Sequence, residues 1–102
     1  MKVKIPATVQ IGAYEYSIKY RKGLVKHATS TGQCYASDAS IWIDPDELKQ
    51  VRDVTIFHEL LHCIGDVERV SFEEGDIDRL AQCLTRILRD DFNLEFDWSE
   101  IN

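Results

Sequence analysis

Long apolar runs are missing from this chain. No stretch approaches the roughly 20 consecutive apolar residues that a membrane-crossing helix needs. The opening residues, Met1-Lys2-Val3-Lys4-Ile5-Pro6, lack the apolar segment of a secretory signal. Both absences lead to the expectation of a cytoplasmic protein with no membrane partner. Cations are short as well: 12 Lys and Arg stand against 18 Asp and Glu, for a net charge of −6. Such a chain is a poor non-specific nucleic-acid binder, because phosphate contacts need clustered cations. The deficit is uneven. Residues 1–43 hold six cations (Lys2, Lys4, Lys19, Arg21, Lys22 and Lys26) against Glu15 and Asp38, a balance of +4, so residues 44–102 carry −10. The N-terminal excess reads as a solvated strand face.

Cysteine is sparse. Cys34, Cys63 and Cys83 are odd in number and form no CxxC pair, which argues against a disulfide framework and for a reducing compartment. Cys63 and Cys83 fall in helical stretches and are expected as small core residues. Two prolines and five glycines leave few breaks, and the 102 residues, 44% hydrophobic and 29% charged, make up one globular domain spanning 1–102.

What is present is well patterned. Residues 8–20 alternate polar and apolar side chains around Gly12-Ala13, as a β-hairpin does. Residues 22–33 read as a loop. A second strand pair follows, Gln33 to Ala36 and Ser40 to Ile43, with Ser37-Asp38-Ala39 as its turn. Asp44 as N-cap, Pro45 at the first helical position and Glu47 as partner of a capping box announce a helix. Gly65 suits the position just past its end. Leu48, Val51, Val54, Phe57, Leu61 and Ile64 recur at helical spacing and should face the core. A second helix is predicted from Ser71, with Glu74 three residues on, to about Asp90-Asp91. Its apolar stripe is Ile77, Leu80, Ala81, Leu84, Ile87 and Leu88. Residues 94–98 alternate and suit a short strand or a docking tail.

The first helix contains the most informative run, His58-Glu59-Leu60-Leu61-His62. Histidines four apart lie about 40° apart around the axis and about 6 Å along it, so both imidazoles can grip one metal ion. Glu59 leaves at another angle. It is placed to act as general base on a water activated by the metal. Uncharged neighbours on both sides would keep the site dry. The same spacing also occurs in helices whose histidines are hydrogen-bonded in a core without metal.

A zinc ion of this kind needs a third protein ligand. His27 is the only other histidine. Acidic groups at the start of the second helix are better placed: Glu73, Glu74, Asp76 and Asp78. Glu74 shares a face with Ile77 and Ala81 and is favoured, although it also suits a capping-box role. Asp78, one turn later, is its rival. Tyr35 and His27 are weak candidates for stabilising an oxyanion. If Ser40–Ile43 is a sheet edge, an extended peptide could add to it as a further strand.

These pieces resemble a known group, the small zincin-like proteins of phages and prophages, distant relatives of the ImmA/IrrE metallo-endopeptidases. The resemblance is carried by Ile41-Trp42-Ile43-Asp44, Thr55-Ile56-Phe57-His58-Glu59-Leu60-Leu61-His62 and Glu74-x-x-Ile77-Asp78-Arg79-Leu80-Ala81-x-x-Leu84. It implies His58, His62 and Glu74 as zinc ligands, Glu59 as general base, and a protein substrate such as a regulator or repressor in a bacterial or phage-infected cell. One departure is the short spacing of eleven residues between His62 and Glu74. The expected fold is α+β, a small antiparallel sheet followed by two packed helices. The expected function is a zinc metallopeptidase of gluzincin type; the alternative is a catalytically weak or inactive metal-binding module for phage or host interaction or assembly.

Overall fold

The computed structural model describes residues 1–24, 32–35, 37–73 and 75–102. His27 and Glu74, and the loop expected over 22–33 beyond residue 24, lie outside the described residues, apart from the start of the next strand. The α+β class is observed. Among the described residues six short strands, β1 (Lys2–Lys4), β2 (Thr8–Ile11), β3 (Tyr14–Tyr20), β4 (Gly32–Tyr35), β5 (Ser40–Ile43) and β6 (Glu95–Asp97), accompany the helices α1 (Lys49–Glu68) and α2 (Asp76–Arg86). A π-helical turn, Ile87–Asp91, extends α2.

The hairpin predicted over 8–20 forms as β2 and β3, joined at Gly12-Ala13. Gly12 has φ +58°, and a Cβ on it would sit 2.5 Å from Val67 Cγ1. Both the turn and the close approach of α1 therefore require glycine. The second strand pair also forms, as antiparallel β4 and β5. The four strands are ordered β2-β3-β5-β4, and β3 pairs with β5 in parallel. The sheet is mixed for that reason, whereas alternation alone suggested antiparallel pairing throughout. Ser40–Ile43 is an inner strand, and β4 forms the edge instead. β1 and β6 form a separate parallel pair that brings the two chain ends together.

Alternation along β3 and β5 sends Tyr16, Ile18, Ile41 and Ile43 into the core, where they meet Ile56 and Cys63 of α1 and Phe96, Trp98 and Ile101 from the C-terminal tail. This is the ordinary logic of a half-buried sheet.

Helix boundaries depart from the predicted caps. The Asp44 carboxylate accepts the Asp46 N–H (2.9 Å), which holds a turn, and α1 begins only after Leu48 with no side-chain cap. Gly65 lies inside α1, not beyond it. A Cβ there would be 3.0 Å from Val70 O and 3.3 Å from the Phe72 ring, so the glycine lets the returning chain cross the helix. Arg69, in the left-handed conformation, ends the helix. Residues 70–73 are used in that crossing, and Ser71 is not the N-cap of α2. Gly75 (φ +89°) is the N-cap of α2, and the Asp76 carboxylate accepts the Glu73 N–H (3.0 Å).

The core stripe of α1 is also rotated from the expected one. Asp53, Thr55, Ile56, Glu59, Cys63 and Gly65 are its buried residues, while Leu48 and Ile64 are exposed. The helix is packed against the sheet on one side and α2 on another, so one apolar stripe does not describe it. On α2, Ile77 and Ala81 are buried as expected, but Leu80 and Leu84 are exposed. None of the described helices is long and apolar enough to cross a membrane.

Candidate metal and catalytic site

α1 and α2 run antiparallel, and the site lies where they meet the edge of the sheet. Helical spacing brings the His58 and His62 rings to one side of α1, with their Nε2 atoms 3.1 Å apart. Two ligands bound at about 2.0–2.1 Å to one tetrahedral ion sit about 3.3 Å apart, so the two nitrogens are spaced to share a metal. The opposite nitrogen of His58, Nδ1, lies 2.7 Å from Asp78 Oδ1. A carboxylate there accepts a hydrogen bond, which puts the His58 proton on Nδ1 and leaves Nε2 with a free lone pair. The surround is thus not uncharged, as the flanking sequence suggested. Asp78 arrives from α2, and Asp66 follows one turn after His62 on the same stripe of α1.

Burial lowers the pKa of His62, the neighbouring His58 lowers it further, and Asp66 and Asp78 act in the opposite direction. The net effect favours a neutral imidazole, the form that ligates. Burial also pushes Glu59 up to about 7. The Glu59 residue is only 6% exposed and, among the described residues, its carboxylate has no hydrogen-bond partner. A carboxylate unpaired, desolvated and poised near neutrality is what general-base work requires.

Three cavities meet at His58. One, of about 440 Å³, lies between β4 and α1 and is lined by Gln33, Tyr35, Glu59, His62 and Asp66 among others. A second, of about 620 Å³, opens beside His62 toward residues 69–78. The third, of about 960 Å³, runs between the first half of α1 and the later turns of α2. Gly32 permits the close contact of β4 with the site: a Cβ on it would lie 2.6 Å from Thr55 Cγ2 and 3.1 Å from Glu59 Cγ.

A disulfide joins Cys34 of β4 to Cys63, the residue after His62. This corrects the expectation drawn from the cysteine count, and with it the argument for a reducing compartment. An odd count does not prevent two of three cysteines from meeting, and their positions 29 residues apart give no local signal. Cys83 is exposed and free, not a core residue, and lines the third cavity.

The other predicted site residues scatter. Glu73 is exposed and lines the second cavity, Asp76 pairs with Arg79, and the Tyr35 hydroxyl donates to Gln33 Oε1. Among the described residues no group of three or more His, Cys, Asp or Glu side chains is arranged to hold a metal ion. Glu74, the favoured third ligand, lies outside them. The contact of Asp78 with His58 Nδ1 and the sheet-edge position of β4 are not legible in the sequence. The i, i+4 spacing of Glu74 and Asp78 was the only available hint. No family model, curated protein or solved structure matches the chain.

Proposed function

We propose that this protein is a zinc-dependent peptidase of gluzincin type, in which His58 and His62 hold the metal and Glu59 is the general base. The observation that carries the reading is the convergence of two histidine Nε2 atoms, 3.1 Å apart, beside a buried carboxylate that is raised to about 7 and unpaired among the described residues. Glu74 is proposed as the third ligand on its sequence position, since Asp78 is already engaged with His58 Nδ1. The likeness to the phage and prophage zincins related to ImmA/IrrE belongs to the same proposal.

When bound, zinc supplies a Lewis acid that lowers the pKa of water toward 7 and polarises a carbonyl. Asp78 holds the His58 proton on Nδ1. Glu59 accepts a proton from the attacking water and returns it to the departing amine. Edge strand β4 borders the cavity containing His58, Glu59 and His62, and it has a hydrogen-bonded strand on one side only among the described residues. An extended peptide can add there by main-chain hydrogen bonds, the role that the sequence pattern suggests for Ser40–Ile43.

The test is metal content and peptide cleavage for the wild type and for Glu59→Gln. The expected result is one zinc per chain in both, with cleavage reduced at least about 100-fold in the variant. Zinc bound but no cleavage by either protein, against a broad peptide library, would favour the binding or assembly module. Absence of bound zinc in both would overturn the metal reading.

A further inference from the structure

The groove of about 960 Å³ leads away from His58 and Glu59 and carries a sorted set of charges. Val51 and Val54 provide apolar lining, and Gln50 and Gln82 provide amides. Its two carboxylates, Glu59 and Asp78, belong to the site described above. Its cations are Arg79, Arg86 and Arg89, all on α2 or the turn that extends it. Asp78, Gln82 and Arg86 are spaced i, i+4, i+8 and therefore form one row along the helix. Arg79 is paired with Asp76, and Arg89 with Asp90. Arg86 is exposed and has no anionic partner among the described residues. Residues 44–102 carry a net −10, so a groove whose far end is cationic runs against its surroundings.

We infer that this groove is a specificity subsite in which Arg86 receives a carboxylate of the peptide substrate. The inference rests on the peptidase reading for its substrate class. Eight residues of helix separate Asp78 from Arg86, about 12 Å. An extended peptide advances about 3.3 Å per residue. The carboxylate therefore belongs about three to four residues from the bond that is cut. It comes from an Asp or Glu side chain or from the peptide's own C-terminus. The guanidinium of Arg86 offers a planar fork of donors that suits a carboxylate, and no internal ion pair has to be broken to use it.

Binding and cleavage are measured separately, so that this inference and the peptidase reading can fail independently. Full-length Glu59→Gln protein, with and without zinc, is titrated into fluorescein-labelled heptapeptides of alanine and leucine, and anisotropy is read. The peptides carry two aspartates at one end or the other, two lysines in the same places, or no charged side chain with a free or an amidated C-terminus. At least one aspartate peptide should bind about five- to tenfold more tightly than its lysine counterpart, with the difference shrinking at 1 M salt. A tighter free than amidated C-terminus would identify the terminal carboxylate as the source. Adding Arg86→Glu, an exposed change, should reverse the aspartate–lysine preference. Equal affinities, no measurable binding of any acidic peptide, or a preference untouched by Arg86→Glu would overturn the inference. Wild-type protein is tested on the same peptides for cleavage by mass spectrometry. An Arg86-dependent preference without cleavage leaves the groove intact and sinks the peptidase reading. Cleavage indifferent to charge does the reverse.

Discussion

At Asp78 one hydrogen bond decides which nitrogen of His58 carries the proton. With Oδ1 at 2.7 Å from Nδ1, the Nε2 lone pair is left facing His62. Removing that acceptor frees the ring to rotate and to change tautomer. Asp78→Ala should therefore weaken zinc binding about 10- to 100-fold, with partial rescue in Asp78→Asn, as read by competition with a chelating dye. Glu59 sets a pH dependence in the metal-free protein. Its pKa is raised by burial from 4.5 to about 7, so the folded state holds that proton more tightly than the unfolded chain. The stabilisation is complete below about pH 4.5 and is lost as the pH rises through about 7. Over that span it amounts to roughly 3 kcal/mol. Denaturant unfolding at pH 5 and pH 8 should reveal the loss in wild type and its absence in Glu59→Gln; equal pH dependence in both would refute it. The identities of His58, Glu59 and His62 were legible because one helical turn is a local property. The environment of Glu59 was not, since it depends on Gly32 and Thr55 reaching the same place from different elements.

Among the elements, β4 and α1 are tied by the Cys34–Cys63 bridge, and Cys34 lines the cavity that holds His58, Glu59 and His62. Closing a loop of this size restricts the unfolded chain by about 3–4 kcal/mol in the chain-entropy model. Cys34→Ala should lower unfolding stability by a comparable amount. Reductant should lower the denaturation midpoint of the wild type but leave that of the variant unchanged. A midpoint insensitive to reductant in both would mean that the two thiols are not joined. Strand periods survived into the structure, because alternation reports directly on a sheet with one buried face. Helix starts did not. Asp44 and Ser71 have the chemistry of N-caps, yet one is used in a turn and the other in the chain's return past Gly65. Cap residues report only that some backbone N–H nearby needs a partner.

For the whole molecule, the C-terminal tail is the clasp. Trp98 Nε1 donates to Asp53 Oδ1 (2.7 Å) deep in the structure, while Lys49 reaches the other carboxylate oxygen (3.2 Å). The indole stacks on Tyr20, and the Arg52 guanidinium lies over both rings. The Tyr20 N–H donates to Asn102 O, and Ile101 and Phe96 are buried. The tail thereby fastens the sheet to the helix that carries the two histidines. Trp98→Phe keeps much of the apolar volume but leaves Asp53 Oδ1 without its donor. It should cost about 1–3 kcal/mol in denaturant unfolding. Full retention of stability would mean that the tail is not held by this bond. Of the two readings of residues 94–98, strand or docking tail, a strand is present over Glu95–Asp97, but its partner, residues 2–4, lies at the other end of the chain. No local pattern marks that pairing.

The order of residues alone determined the α+β class, the hairpins and the placing of two imidazoles and a carboxylate within one turn of helix. Each of these follows from side-chain periodicity over a few neighbouring positions. Tertiary structure decided that Cys34 meets Cys63, that Asp78 holds His58, that β4 is the sheet edge and that Glu59 is desolvated. Those outcomes join positions 20 to 29 residues apart or require several elements to pack together, and packing geometry is a property of the assembled chain rather than of any window in it.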